Sequence, residues 1–110
     1  MKLFNNLKHD QYQYVSLNDI PEIIEPNKVY VVGEKRYKWV AVLLCPCGCK
    51  EIIQLNLLKQ GNDSWRTIKH FDLSITIRPS IWRTVGCRSH FTIVRGWLNW
   101  YHENPFWFNI

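Results

Sequence analysis

No run of apolar residues in this chain approaches the ~20 that a helix needs to cross a bilayer. The first residues, Met1-Lys2-Leu3-Phe4-Asn5-Asn6, lack the continuous apolar stretch of a secretory signal. The expected compartment is therefore the cytoplasm, with no membrane partner. There is no internal repeat, low-complexity tract or linker, which excludes repeat architectures and offers no domain boundary. No segment carries a 3.6-residue apolar stripe for three turns, so long helices are not expected. P-loop, H-E-x-x-H, G-x-S-x-G and H-x-E motifs are all missing, which removes the best-marked nucleotide, metalloprotease, α/β-hydrolase and deaminase chemistries.

What remains fits one small domain of 110 residues. Apolar residues make up 46% and charged residues 21%, ordinary globular usage that argues against disorder. The net charge of +5 permits an anionic partner without requiring one. Strand signals start after Asn27. Val29–Val32 and Tyr37–Leu44 flank a turn and read as a hairpin, and Ile52–Leu58 reads as a third strand. Trp65–Ile68 and the period-two run Leu73–Ile77 follow, the latter expected to stop at Pro79. Phe91–Val94 and Trp97–Trp100 around Arg95-Gly96 read as a last hairpin. The expected fold is mainly β, a zinc-ribbon-like single domain (1–110) with two metal-binding turns. Residues 1–27 are expected as an extended arm and 101–110 as an aromatic tail.

All four cysteines fall in two clusters, Cys45-Pro46-Cys47-Gly48-Cys49 after one strand and Gly86-Cys87-Arg88-Ser89-His90 before another. Structural zinc takes four soft or borderline ligands, commonly as two pairs from two tight turns. Pro46 and Gly48 suit such a turn, and Cys87 and His90 have the spacing of a metal-binding pair. Cys45, Cys47, Cys49, Cys87 and His90 are thus five candidates for four positions on one structural Zn²⁺, and spacing leaves the spare one open. A disulfide framework is disfavoured, because no export signal is seen and a Cys45–Cys47 bridge would be strained. Glu51, the carboxylate nearest the first cluster, reads as a solvated strand residue rather than a base. No catalytic residue is assigned.

At these residues the chain resembles the bacterial and phage domain-of-unknown-function family 6527, whose hallmark is C-P-C-G-C followed by G-C-x-S-H-F. The likeness runs from about Ile20 to Trp100. It takes in Tyr30, Trp39, Gln54-Leu55-Asn56-Leu57, Trp65, Pro79-Ser80-Ile81-Trp82, Gly96 and Trp100 besides the two clusters. Some members carry a histidine two positions before the first cysteine; Leu43 stands there here, so no role of that histidine transfers. The resemblance implies a neighbourhood of bacterial ubiquitin-like modifiers and their E1-like and E2-like enzymes, and hence an accessory module in protein conjugation.

Six tryptophans are many for so small a chain. Trp39 and Trp65 read as core, and Trp82 as a cover for the metal turn. Trp97, Trp100 and Trp107, with Arg83 and Arg88, are the candidate partner-binding residues, since exposed tryptophan and arginine make effective hot spots. Between residues 61 and 100, Arg66, Lys69, Arg78, Arg83, Arg88 and Arg95 stand against only Asp63 and Asp72. The leading functional reading is a non-catalytic interaction module binding a protein partner, with a ubiquitin-like modifier or its E1-like or E2-like enzymes as candidates. The alternatives are a nucleic-acid-binding zinc module, using those arginines, and a small zinc- or cysteine-dependent hydrolase.

Overall fold

Short β-branched and aromatic runs broken by turn residues leave this chain little choice but sheet. The computed structural model, which describes residues 10–58 and 64–101, contains eight strands and no helix among the described residues. They are β1 (Gln13–Leu17), β2 (Lys28–Glu34), β3 (Tyr37–Leu44), β4 (Ile52–Asn56), β5 (Arg66–Lys69), β6 (Ile75–Trp82), β7 (His90–Val94) and β8 (Trp97–Trp100). The first four form one sheet in the order β1-β2-β3-β4, and the last four a second in the order β5-β6-β7-β8. Within the N-terminal stretch expected as an arm, Gln13–Leu17 is a sheet strand, paired parallel with β2. Of the aromatic tail, residues 102–110, including Trp107, lie outside the described residues.

The main core sits between the sheets. Val29, Val31, Ala41, Leu43, Ile53 and Leu55 point inward from the first, against Ile75, Ile77, Ile81, Phe91 and Ile93 of the second. Alternate residues Tyr30, Val32 and Val42 turn to the other face, where Ile24 covers them. Burial on both faces explains why β2 reads as an unbroken apolar run rather than an alternating one. The β1 region ties the sheets together: Tyr12 N–H donates to the Gly96 carbonyl (2.8 Å) and Tyr14 N–H to the Leu73 carbonyl (2.9 Å). At the β7–β8 turn Arg95 and Gly96 both have positive φ, the signature of a two-residue primed turn. A Cβ at position 96 would stand 3.0 Å from the Tyr12 carbonyl, so glycine is needed there for space as well as for φ.

Two expectations change. Pro79 does not end its strand: β6 runs on to Trp82. From Ile77 to Ile81 is four steps on β6, against two from Ile93 to Phe91 on β7, so the ladder is interrupted there. A proline, which has no N–H to donate, fits such an interruption. Trp39 is not core either; at 37% exposed it stands on the surface. Trp65 is half-buried against the main core.

Candidate active site and metal centre

Each cysteine cluster is a turn closed by backbone hydrogen bonds. Cys45 N–H donates to the Glu51 carbonyl (2.8 Å), shutting the loop that follows β3, and Arg83 N–H donates to the Ser89 carbonyl (2.7 Å), shutting the loop between β6 and β7. Positive φ at Gly48, Lys50, Gly86 and Arg88 lets both turns curl tightly. The result brings the sulfurs of Cys45, Cys47, Cys49 and Cys87 within 4.8 Å of one another. Cys45 Sγ lies 3.5 Å from Cys47 Sγ and 3.4 Å from Cys87 Sγ. Four thiolates at ~2.3 Å from a central ion stand about 3.8 Å apart, so the donor set fits a tetrahedral metal.

Charge supports that fit. The Ser89 hydroxyl holds the Cys87 thiol down to about 6. The backbone hydrogen bond at Glu51 lowers the Cys49 thiol, but desolvation and the sulfurs of Cys47, Cys45 and Cys87 outweigh it and push it up to about 12. Four thiols this close cannot all ionise without a cation among them. Arg83 stands over the cluster, its Nη1 3.9 Å from Cys49 Sγ and 4.0 Å from Cys87 Sγ, while its Nη2 donates to Glu51 Oε1 at 2.6 Å. A guanidinium there would offset the net negative charge that four thiolates would leave around a dication. Arg83, expected as a partner contact, is thus engaged with the metal loops; Arg88 is exposed on the second turn.

His90, the fifth ligand candidate, stands outside this group. It opens β7, where successive side chains take opposite faces. Ser89 is buried and turned toward the sulfurs, its Oγ 3.1 Å from Cys87 Sγ. His90 turns the other way, and its Nε2 lies 2.9 Å from Ser80 Oγ. Pairing sets this up: Trp82 and His90 are register partners across β6 and β7, and their rings stack 4.8 Å apart at 12°. Tyr101 closes on His90 from a second direction at 4.7 Å, and its N–H donates to the His90 carbonyl (2.8 Å).

Ser80 lies in the interrupted stretch of β6, a local irregularity of the kind that re-aims side chains beside active sites. The Trp65 indole N–H donates to its carbonyl at 3.2 Å and fixes the backbone. A cleft of about 380 Å³ opens at Ser80, lined by Pro79, Ser80, Thr92 and Tyr101 among others. A hydroxyl and an imidazole nitrogen at 2.9 Å have the separation of a nucleophile and its general base. Sequence reasoning missed Ser80, Trp82 as the ring on His90, and Tyr101. Trp97 and Trp100 stand 45% and 43% exposed on β8.

No curated protein and no solved structure is found to match the chain. Residues 16–101 match the model of the family described as bacterial ubiquitination-like system serine protease (BubE), and with most of its length so matched the chain belongs to that family.

Proposed function

We propose that this protein is a serine-dependent protease working on proteins of a bacterial ubiquitin-like conjugation system. Ser80 is the nucleophile, His90 the general base, and one Zn²⁺ held by Cys45, Cys47, Cys49 and Cys87 is structural. The observation that carries this reading is the 2.9 Å contact between His90 Nε2 and Ser80 Oγ, in a chain whose family is described as serine proteases. The likeness to family 6527 belongs with it, because the P-S-I-W and G-C-x-S-H-F stretches hold Ser80 and His90. A modifier precursor, a conjugate, or the E1-like and E2-like enzymes that handle them are the partners this reading implies. The cytoplasm is its compartment, since thiols stay reduced there and free to bind metal.

In the acylation step His90 Nε2 accepts the Ser80 proton as Oγ attacks the carbonyl carbon. The same nitrogen then returns that proton to the departing amine, leaving an ester on Ser80. Water hydrolyses the ester with His90 again as base. Trp82 and Tyr101 hold the imidazole where it reaches Oγ, and the Trp65 bond to the Ser80 carbonyl holds the nucleophile. The non-catalytic and cysteine-dependent readings are less well supported: the four thiols are grouped as a ligand set, and the base faces a serine. Zinc, when bound, would pin the turn that leads into His90.

p-Nitrophenyl acetate tests the reading. One equivalent of p-nitrophenolate should be released in a burst per folded chain, and Ser80→Ala should abolish the burst while keeping metal content and melting midpoint. A burst of equal size in Ser80→Ala would overturn it.

A further inference from the structure

A second cleft, of about 500 Å³, lies between the β2–β3 turn and β5. Lys35, Arg36 and Lys38 line one wall and Arg66 and Arg78 the other, with no Asp or Glu among its described lining residues. None of these five cations is in an ion pair among the described residues. Arg66 and Arg78 are moreover direct partners in the β5–β6 register. Like charges placed opposite each other weaken a sheet, an arrangement that an anionic ligand would relieve.

The shape narrows the ligand. The cleft is lined by Arg66, Thr67 and Ile68 in succession. Successive strand residues face opposite sides, so a cleft touching all three runs along the strand's outer edge. β5 is the end strand of its sheet, and among the described residues the backbone of Arg66–Lys69 bonds only to β6. An open edge of this kind can accept another extended chain. The cleft's two aromatic residues, Tyr14 and Trp65, pack against the main core, and Lys69 Nζ covers the Tyr14 ring at 5.8 Å. They offer poor stacking faces for bases, which favours a peptide over single-stranded nucleic acid.

The groove also adjoins the candidate active site through shared residues. Trp65 lines it and donates to the Ser80 carbonyl, while Arg78 lines both this groove and the cleft beside Ser80. We infer that an extended acidic peptide segment adds to the free edge of β5, its carboxylates among the five cations, and leads the scissile bond to Ser80. The last clause rests on the protease reading above; the binding groove stands without it.

Fluorescence anisotropy with a labelled glutamate-rich peptide, its glutamine counterpart and an oligouridylate tests this on the full chain. The glutamate peptide should bind about tenfold or more tighter than the glutamine one at low salt, and weaken as salt rises. Arg66→Glu and, as a second variant on the turn, Arg36→Glu should each weaken it about fivefold or more, with Arg66→Lys retaining binding. Amides of Arg66–Lys69 should gain hydrogen-exchange protection with peptide bound. Ser80→Ala should bind it unchanged, and absence of the esterase burst in the unsubstituted chain would remove the catalytic reading while leaving the groove standing. Equal binding of the two peptides, tighter binding of the oligouridylate, or binding without protection of β5 would overturn the inference even where the burst is intact.

Discussion

Replacing His90 by Asn separates catalysis from folding. The imidazole packs on Trp82 at 4.8 Å and Tyr101 at 4.7 Å, and ring pairs of this kind are worth about 0.5–1.5 kcal/mol each. Both partner rings are about half exposed, so the lower end applies and the variant should lose about 1 kcal/mol of stability. For a domain near this size that lowers the melting midpoint by only about 4–8 °C, leaving the chain folded at room temperature. Acylation should suffer far more. The base at 2.9 Å from Ser80 Oγ is expected to contribute about 10²–10⁴ in rate, or about 3–5 kcal/mol of barrier. Stopped-flow measurement of the p-nitrophenyl acetate burst gives the rate constant directly, and circular dichroism gives the fold. A burst within about threefold of the parent chain, in folded His90→Asn, would refute the assignment of His90 as base.

Trp82→Ala should slow acylation about tenfold through a misplaced imidazole, with little change in KM, because Trp82 acts through His90. Trp82→Phe should restore most of that rate, and at 57% exposed the truncation should cost little stability. Cys87→Ser should lose the metal and melt well below the parent, as read by inductively coupled plasma mass spectrometry and calorimetry, since site and fold form together. Removal of metal by a chelator should do the same. Asp72 accepts hydrogen bonds from the Ser74 hydroxyl (2.6 Å) and amide (2.9 Å), which hold its carboxyl below the usual range. A carboxylate depressed in the folded state adds stability above its unfolded pKa of ~3.9, and that stability is lost as pH falls through the lowered value. Acid unfolding of Asp72→Asn should therefore be less steep below about pH 4; an unchanged profile would remove this carboxylate from the account.

Most strands were legible because their residues carry the pattern locally: Tyr37–Leu44 is β3 at both ends, and the run Leu73–Ile77 overlaps the start of β6, although Thr76 is buried there as well as Ile75 and Ile77. The ladder interruption between Ile77 and Ile81 was not, since it depends on how β7 pairs with β6 rather than on any one segment. That same interruption hid the candidate active site. Ser80 and His90 are ten residues apart and meet only because Trp82 and His90 are register partners. No local motif such as G-x-S-x-G announces them. The two-residue gap between Cys87 and His90 suggested a ligand pair. Strand parity sends Ser89 to the sulfurs and His90 away from them. The two cysteine clusters were legible as ligand candidates, because a tight turn brings near neighbours together, but spacing left five candidates open. That Cys87 meets Cys45, Cys47 and Cys49 depends on how two distant loops come together. Arg83 as their counter-charge was not legible, since it comes from the far end of β6.

The most direct test is the site of a fluorophosphonate adduct on the folded, metal-loaded chain. Attack by a serine oxygen on phosphorus expels fluoride and leaves a stable phosphonyl ester, which tandem mass spectrometry assigns to one residue. A single adduct on Ser80, absent in His90→Asn over the same time, is the expected result. No adduct on the folded protein, or an adduct on Ser89 or another residue in place of Ser80, would contradict the account.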